Sequence, residues 1–176
     1  MTNNQGSEMI FDECMENIFQ IVFKCVGNEY KPFHIIDAED RPDKRISFIP
    51  FKDTDELNTY HSLNSDEKNQ FASKPGIIFV FSTMERAIKS LKDTGIYQVF
   101  HNDFMQKLGF STDEIILLYT ILHEIGHWKH FCEIGKRPYE IEKLGEDACE
   151  KIAGDFADKH FITCLKEFPI SNHKMK

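Results

Sequence analysis

Apolar side chains recur at helical spacing near the start of the chain, at Met9, Ile10, Phe11, Met15, Ile18, Phe19, Val22, Phe23 and Val26. The spacing gathers them on one stripe and predicts an amphipathic helix that ends near Gly27. Two short runs rich in β-branched and aromatic residues follow, HIID at 34–37 and RISFIPFK at 45–52. Both predict strands, the second at a sheet edge, where Pro50 would break no ladder. Residues 53–76 are polar, rich in turn formers and without periodicity, and read as a long surface excursion with room for one short helix.

The compact apolar run GIIFVF, 76–81, predicts a buried strand. STMERAIKSLKDTG follows it, with Ser82 or Thr83 as N-cap, Glu85 in the first turn and Gly95 as terminator, so a helix is expected after the strand. IYQVFHN, 96–102, alternates apolar and polar residues and predicts a half-buried strand. Ser111 and Glu114 form a capping-box pair ahead of IILLYTILHEIGHWKHF, and no proline interrupts until Pro138. A second helix is expected over about 139–167. The polar ends, 1–8 and 171–176, read as flexible, which leaves 9–170 as a single domain.

Composition narrows the partners. A formal charge of -8 argues against a broad grip on nucleic acid or anionic membrane, which demand a Lys/Arg-rich surface. Five cysteines, odd in number and without a C-x-x-C pair, suit reduced thiols better than a disulfide framework or a thiolate zinc site. The first residues lack a basic start and an apolar run, and no stretch reaches the roughly 18 apolar residues of a membrane span, so a cytoplasmic setting is expected. No pattern in the chain sets an oligomeric state.

The chemistry concentrates in His123-Glu124-Ile125-Gly126-His127. On a helix, positions four apart project from one face, so His123 and His127 can offer imidazole nitrogens to one metal ion. Zinc held by two histidines and a carboxylate keeps a position for water and makes it more acidic, and Glu124 stands where a general base is needed. On the order of 0.03 to 0.04 matches to His-Glu-x-x-His are expected by chance in a chain of this composition, so the motif needs support from its surroundings. Gly126 supplies some: a glycine inside a helix costs roughly 1 kcal/mol against alanine, and points to close approach by another backbone or a substrate. Trp128 and Phe131 read as core or cover, and His130 as a solvent-facing or supporting neighbour. Tyr97, His101, Tyr119, Tyr139 and His160 are the candidate donors to a transition state.

The third ligand is expected downstream, among Glu140, Glu142, Glu146, Asp147, Glu150 and Asp155. In GEDACEKIAGDFA, residues Glu146, Cys149, Glu150, Ala153 and Ala157 share one helical face, with small residues that permit tight packing on the histidine helix. With Glu146 as ligand, Glu150 lies one turn on, placed to accept the free N–H of a metal-bound histidine. HEIGH followed by EDACEKIAGDFA resembles the gluzincin pattern, H-E-x-x-H then E-x-x-A-D, and in particular the ImmA/IrrE-type metallopeptidases, whose second helix reads E-x-E-A-D-x-F-A. The resemblance covers about residues 111–160. It implies Glu146 as zinc ligand, with Cys149 in the alanine place and Glu150 in place of the aspartate. A register shifted by one turn, with Ala153 and Phe156-Ala157 on the pattern, makes Glu150 the ligand instead. Glu146 is preferred here because it accounts for both acids.

The expectation is therefore an α+β, zincin-like fold, a small twisted sheet packed on the His-Glu-x-x-His helix with a ligand-bearing helix after it. It would hold one zinc per chain on His123, His127 and Glu146, with Glu124 as the catalytic base. By the resemblance the substrate is a peptide or protein, of the regulatory kind, and IYQVFHN as an edge strand would pair with it. The rival reading is a module of the same fold that binds metal or a partner without turnover. Amide hydrolysis of the deformylase kind ranks below both, because the upstream ligand segment of that family is not evident.

Overall fold

The structure is a computed structural model and describes residues 10–27, 35–40, 44–49, 77–135 and 138–167. The expected excursion at 53–76, Pro50 and both expected flexible ends lie outside the described residues. The described chain is mostly helical, with a small sheet beside the helices.

Helix α1, Glu13–Val26, begins where the Asp12 carboxylate accepts from the Met15 amide at 2.8 Å, and ends at Gly27. The other oxygen of Asp12 accepts from the Met84 amide at 2.9 Å. One carboxylate thus joins the starts of two helices. Strands β1, Ile35–Asp37, β2, Ser47–Ile49, and β3, Ile77–Val80, form a sheet in the order β1-β3-β2. β1 runs parallel to β3, and β2 antiparallel, with Phe48 opposite Ile78.

Helix α2, Met84–Asp93, takes Thr83 as its N-cap and stops ahead of Gly95, whose φ of +78° suits glycine. The chain then turns into α3, Ile96–Leu108, so the strand expected at 96–102 is a helix. Seven residues of alternation fit a spacing of three and four as well: Tyr97, Phe100, Phe104 and Leu108 pack inward, while Ile96 and Val99 stay exposed. An edge strand that receives a substrate at this point is ruled out with it.

Helix α4, Asp113–Glu133, carries the His-Glu-x-x-His motif. Its N-cap is Thr112, whose hydroxyl accepts from Ile115, and not Ser111. The single helix expected at 139–167 is two, α5, Pro138–Leu144, and α6, Glu146–Glu167, broken at Gly145 with φ +88°. Met15, Ile18, Val22, Ile116, Leu117, Phe131 and Phe161 are among the side chains of one apolar core that joins α1, α4 and α6.

Candidate metal centre

α4 is apolar almost all round, with Ile115, Ile116, Leu117, Leu118, Ile121, Leu122, Ile125, Trp128 and Phe131 buried. This pattern drives the helix into the middle of the molecule, and leaves His123 and His127 partly exposed on one side of it. Their rings stand 4.9 Å apart, centroid to centroid, and each side chain is about one-sixth exposed, 17% and 16%.

α6 crosses α4 at Gly126. A Cβ built there would stand 2.8 Å from both the Cα and the carbonyl oxygen of Ala153, and 3.2 Å from the Cβ of Phe156. Glycine on one helix and alanine on the other allow the backbones to meet, and this contact fixes which carboxylate faces the histidines. Glu150 lies one turn before Ala153. Its two oxygens stand 3.0 Å from His123 Nε2 and 3.3 Å from His127 Nε2. One ligand atom from each of His123, His127 and Glu150 lies within 4.8 Å of the other two.

Glu146, one turn earlier, is exposed and lines the neighbouring cleft without joining that group. The geometry therefore favours the shifted register, with Glu150 in the ligand place, over Glu146. As the first residue of α6, Glu146 meets the positive end of the helix, where an acid is favourable in any case.

Two imidazole nitrogens and a carboxylate converging on one point are the donor set zinc takes in open sites, so the residues present fit the ion. Burial, then the neighbouring His123, depress the His127 pKa to about 4, against an opposing pull from Glu150. His127 is accordingly neutral at ordinary pH, the form in which an imidazole binds metal.

Beside the triad lies a cleft of about 390 Å³, lined by Phe48, Glu124, His127, His130, Glu146 and Cys149 among others. Glu124 accepts a hydrogen bond from the Phe48 amide at 2.6 Å, which ties the carboxylate to β2. Phe48 is held in turn by its ring, 5.9 Å from Trp128 and 5.5 Å from Phe131. The aromatic residues read as core or cover thus hold the strand against the site. The role of Phe48 was not apparent in the sequence, since its signal is a strand run 76 positions before Glu124.

His130 is buried and lines the cleft. The expected donors stand elsewhere: Tyr97 donates to Asp113 at 2.6 Å, Tyr119 to Asp158 at 2.8 Å, His101 stacks on Tyr97, and His160 rests against Phe156. The side chain of Tyr139 lies outside the described residues. Cys149 packs into the cleft wall with its sulfur 3.8 Å from the Ile141 carbonyl, and burial followed by Glu150 raises its pKa, as suits a protonated space-filling thiol.

No protein-family model, curated protein or solved structure matches the chain. Among the described residues, no helix is long and apolar enough to cross a membrane.

Proposed function

We propose that the chain is a zinc-dependent peptide hydrolase of zincin-like, α+β architecture, with His123, His127 and Glu150 as the residues that hold one ion. The observation that carries the reading is the convergence of these three side chains, from two helices, beside a cleft that also holds Glu124. Zinc in such a donor set supplies Lewis acidity towards a carbonyl and towards water.

The remaining chemistry belongs to the chain. Glu124 takes a proton from the attacking water and hands it to the leaving amine, so one carboxylate serves as base and then as acid. The Phe48 amide holds one of its oxygens and so limits the directions the carboxylate can take. His130 is the imidazole placed in the cleft beside these groups and is assigned the donor to charge that develops on the carbonyl oxygen. A peptide or protein substrate of the regulatory kind and a cytoplasmic setting are part of the proposal, drawn from the resemblance of the motifs and from the cysteine pattern.

The second reading, metal or partner binding without turnover, draws on the Glu124–Phe48 bond, which occupies one oxygen of the proposed base. One experiment separates the two. Full-length protein is loaded with zinc and assayed on unfolded casein, together with Glu124→Gln. The variant is expected to keep about one zinc per chain and to lose roughly 10²-fold or more in rate, the usual worth of a general base. Undiminished cleavage by Glu124→Gln would remove the base assignment. Zinc uptake without cleavage by either protein favours the second reading, and no zinc uptake removes the hydrolase and leaves the second reading as a metal-free, partner-binding module.

A further inference from the structure

The cleft beside His127 and Glu150 adjoins a second space of about 400 Å³, and the two share Gly145 and Glu146 in their linings. Asp147 lines the second space as well. Among the described residues that line either space there is no lysine or arginine, although Glu124, Glu146, Asp147 and Glu150 all take part. Exposed acids elsewhere are treated differently: Glu39, Asp93, Glu133 and Asp155 each lie against a lysine. Glu146 and Asp147 have no ion-pair partner among the described residues.

An acid at the start of a helix is favourable without any ligand, so the end of α6 alone accounts for a carboxylate at position 146. It does not account for two adjoining spaces lined by acids and by no base. With an ion held on His123, His127 and Glu150, the charges of Glu124 and Glu150 are offset. Glu146 and Asp147 then remain as the uncompensated charge of the lining, and a field of one sign in a cleft draws ligands of the other.

On the metal-centred reading given above, we propose that Glu146 is a specificity-determining residue that selects substrates with a lysine or arginine side chain beside the bond to be cut. Four residues of α6 separate Glu146 from Glu150, a rise of about 6 Å. A basic residue whose backbone lies beside His127 and Glu150 covers this distance with its stem and brings its charged head to Glu146. Ile141 and Cys149, in the same lining, offer the stem an apolar surface. Asp147 lines the second space and not the first, so it adds to the field and leaves the contact to Glu146. Glu146 is exposed, and an ion pair with an exposed partner is worth about five-fold at most.

The test titrates zinc-loaded, full-length protein by calorimetry with the hydroxamates of Nα-acetyl-lysine and Nα-acetyl-norleucine, which anchor on zinc and differ only in the ammonium group. Wild type should bind the lysine probe about five-fold more tightly, and the preference should shrink as salt is raised. Glu146→Gln should bring the ratio of the two affinities to about one, and Glu146→Asp should keep most of it. Glu13→Gln removes the same charge from the start of α1, outside the cleft lining, and should leave the ratio as in wild type. Because each protein is compared with itself on two probes, a general loss of zinc or of fold cancels from the ratio. Zinc uptake with equal affinity for both probes in wild type overturns the role of Glu146 and leaves the metal centre standing. A preference that survives in Glu146→Gln, or falls equally in Glu13→Gln, overturns it too. A chain that takes up no zinc removes the metal centre and this role together. A lysine preference lost in Glu146→Gln, in a chain that cuts no casein, supports Glu146 as the selecting residue and counts against the hydrolase alone.

Discussion

Two carboxylates one turn apart, Glu146 and Glu150, face the same side of α6, and only Glu150 reaches the histidine nitrogens. This difference makes a direct prediction at the scale of the residue. Glu150→Gln, which keeps the volume and removes the charge, should weaken zinc binding about 100-fold or more by calorimetry, since an ion with a missing ligand loses much of its binding energy. Glu146→Gln should stay within a few-fold of wild type. The opposite ranking would restore the register preferred from the sequence. His127 makes the second prediction. Its pKa in the fold is depressed to about 4, below the ordinary histidine value near 6.5. The unfolded chain therefore takes up a proton that the folded chain refuses across that window, and metal-free protein should lose stability as pH falls from about 6.5 to about 4. Urea midpoints across this range should fall less steeply in His127→Asn. An equal slope would mean that His127 is not held neutral.

The α4–α6 crossing sets this geometry at the scale of the element, and two glycines test it from opposite sides. A methyl at Gly126 meets backbone atoms of Ala153 at 2.8 Å, which no rotamer change relieves. Gly126→Ala should cost about 1–3 kcal/mol in denaturant unfolding, as overpacked sites do, and should weaken zinc binding by displacing Glu150. Gly154→Ala meets nothing within 4 Å and lies inside α6, so it should stabilise by about 0.5–1 kcal/mol. Destabilisation of equal size in both variants would show that the crossing does not depend on Gly126.

Much of this level was legible in the sequence: α1 and α4 follow from apolar spacing, although the cap of α4 is Thr112 and not Ser111, α2 from its N-cap and the glycine after it, β3 from its compact apolar run, and the close approach at Gly126 from the cost of a glycine within a helix. The α3 segment was not, because IYQVFHN is short enough to fit both periods, and the choice came from Phe104 and Leu108 beyond it. The break at Gly145 falls within a polar stretch where apolar spacing carries no signal. Which acid lies against the histidines was closed to sequence for a further reason. Both acids share a face, and only the fold shows that Glu150 comes within 3.3 Å of both histidine nitrogens.

The candidate site acts as a joint at the scale of the whole molecule. α4 brings two of its donors, α6 brings the third, and β2 reaches Glu124 through the Phe48 amide. The donors come from segments that separate on unfolding, so an ion bound there favours the folded chain by its binding free energy. At a free zinc concentration of 100 times the Kd this amounts to about 2.7 kcal/mol. For a chain of this size each kcal/mol moves Tm by roughly 2–4 °C, so zinc should raise the melting temperature by about 5–10 °C. Zinc taken up by histidines and cysteines of the unfolded chain reduces the shift, and Glu150→Gln supplies the correction because it leaves those groups in place. The difference in shift between wild type and Glu150→Gln by scanning calorimetry therefore isolates the joint. If the two proteins shift equally, zinc binds somewhere other than between α4 and α6.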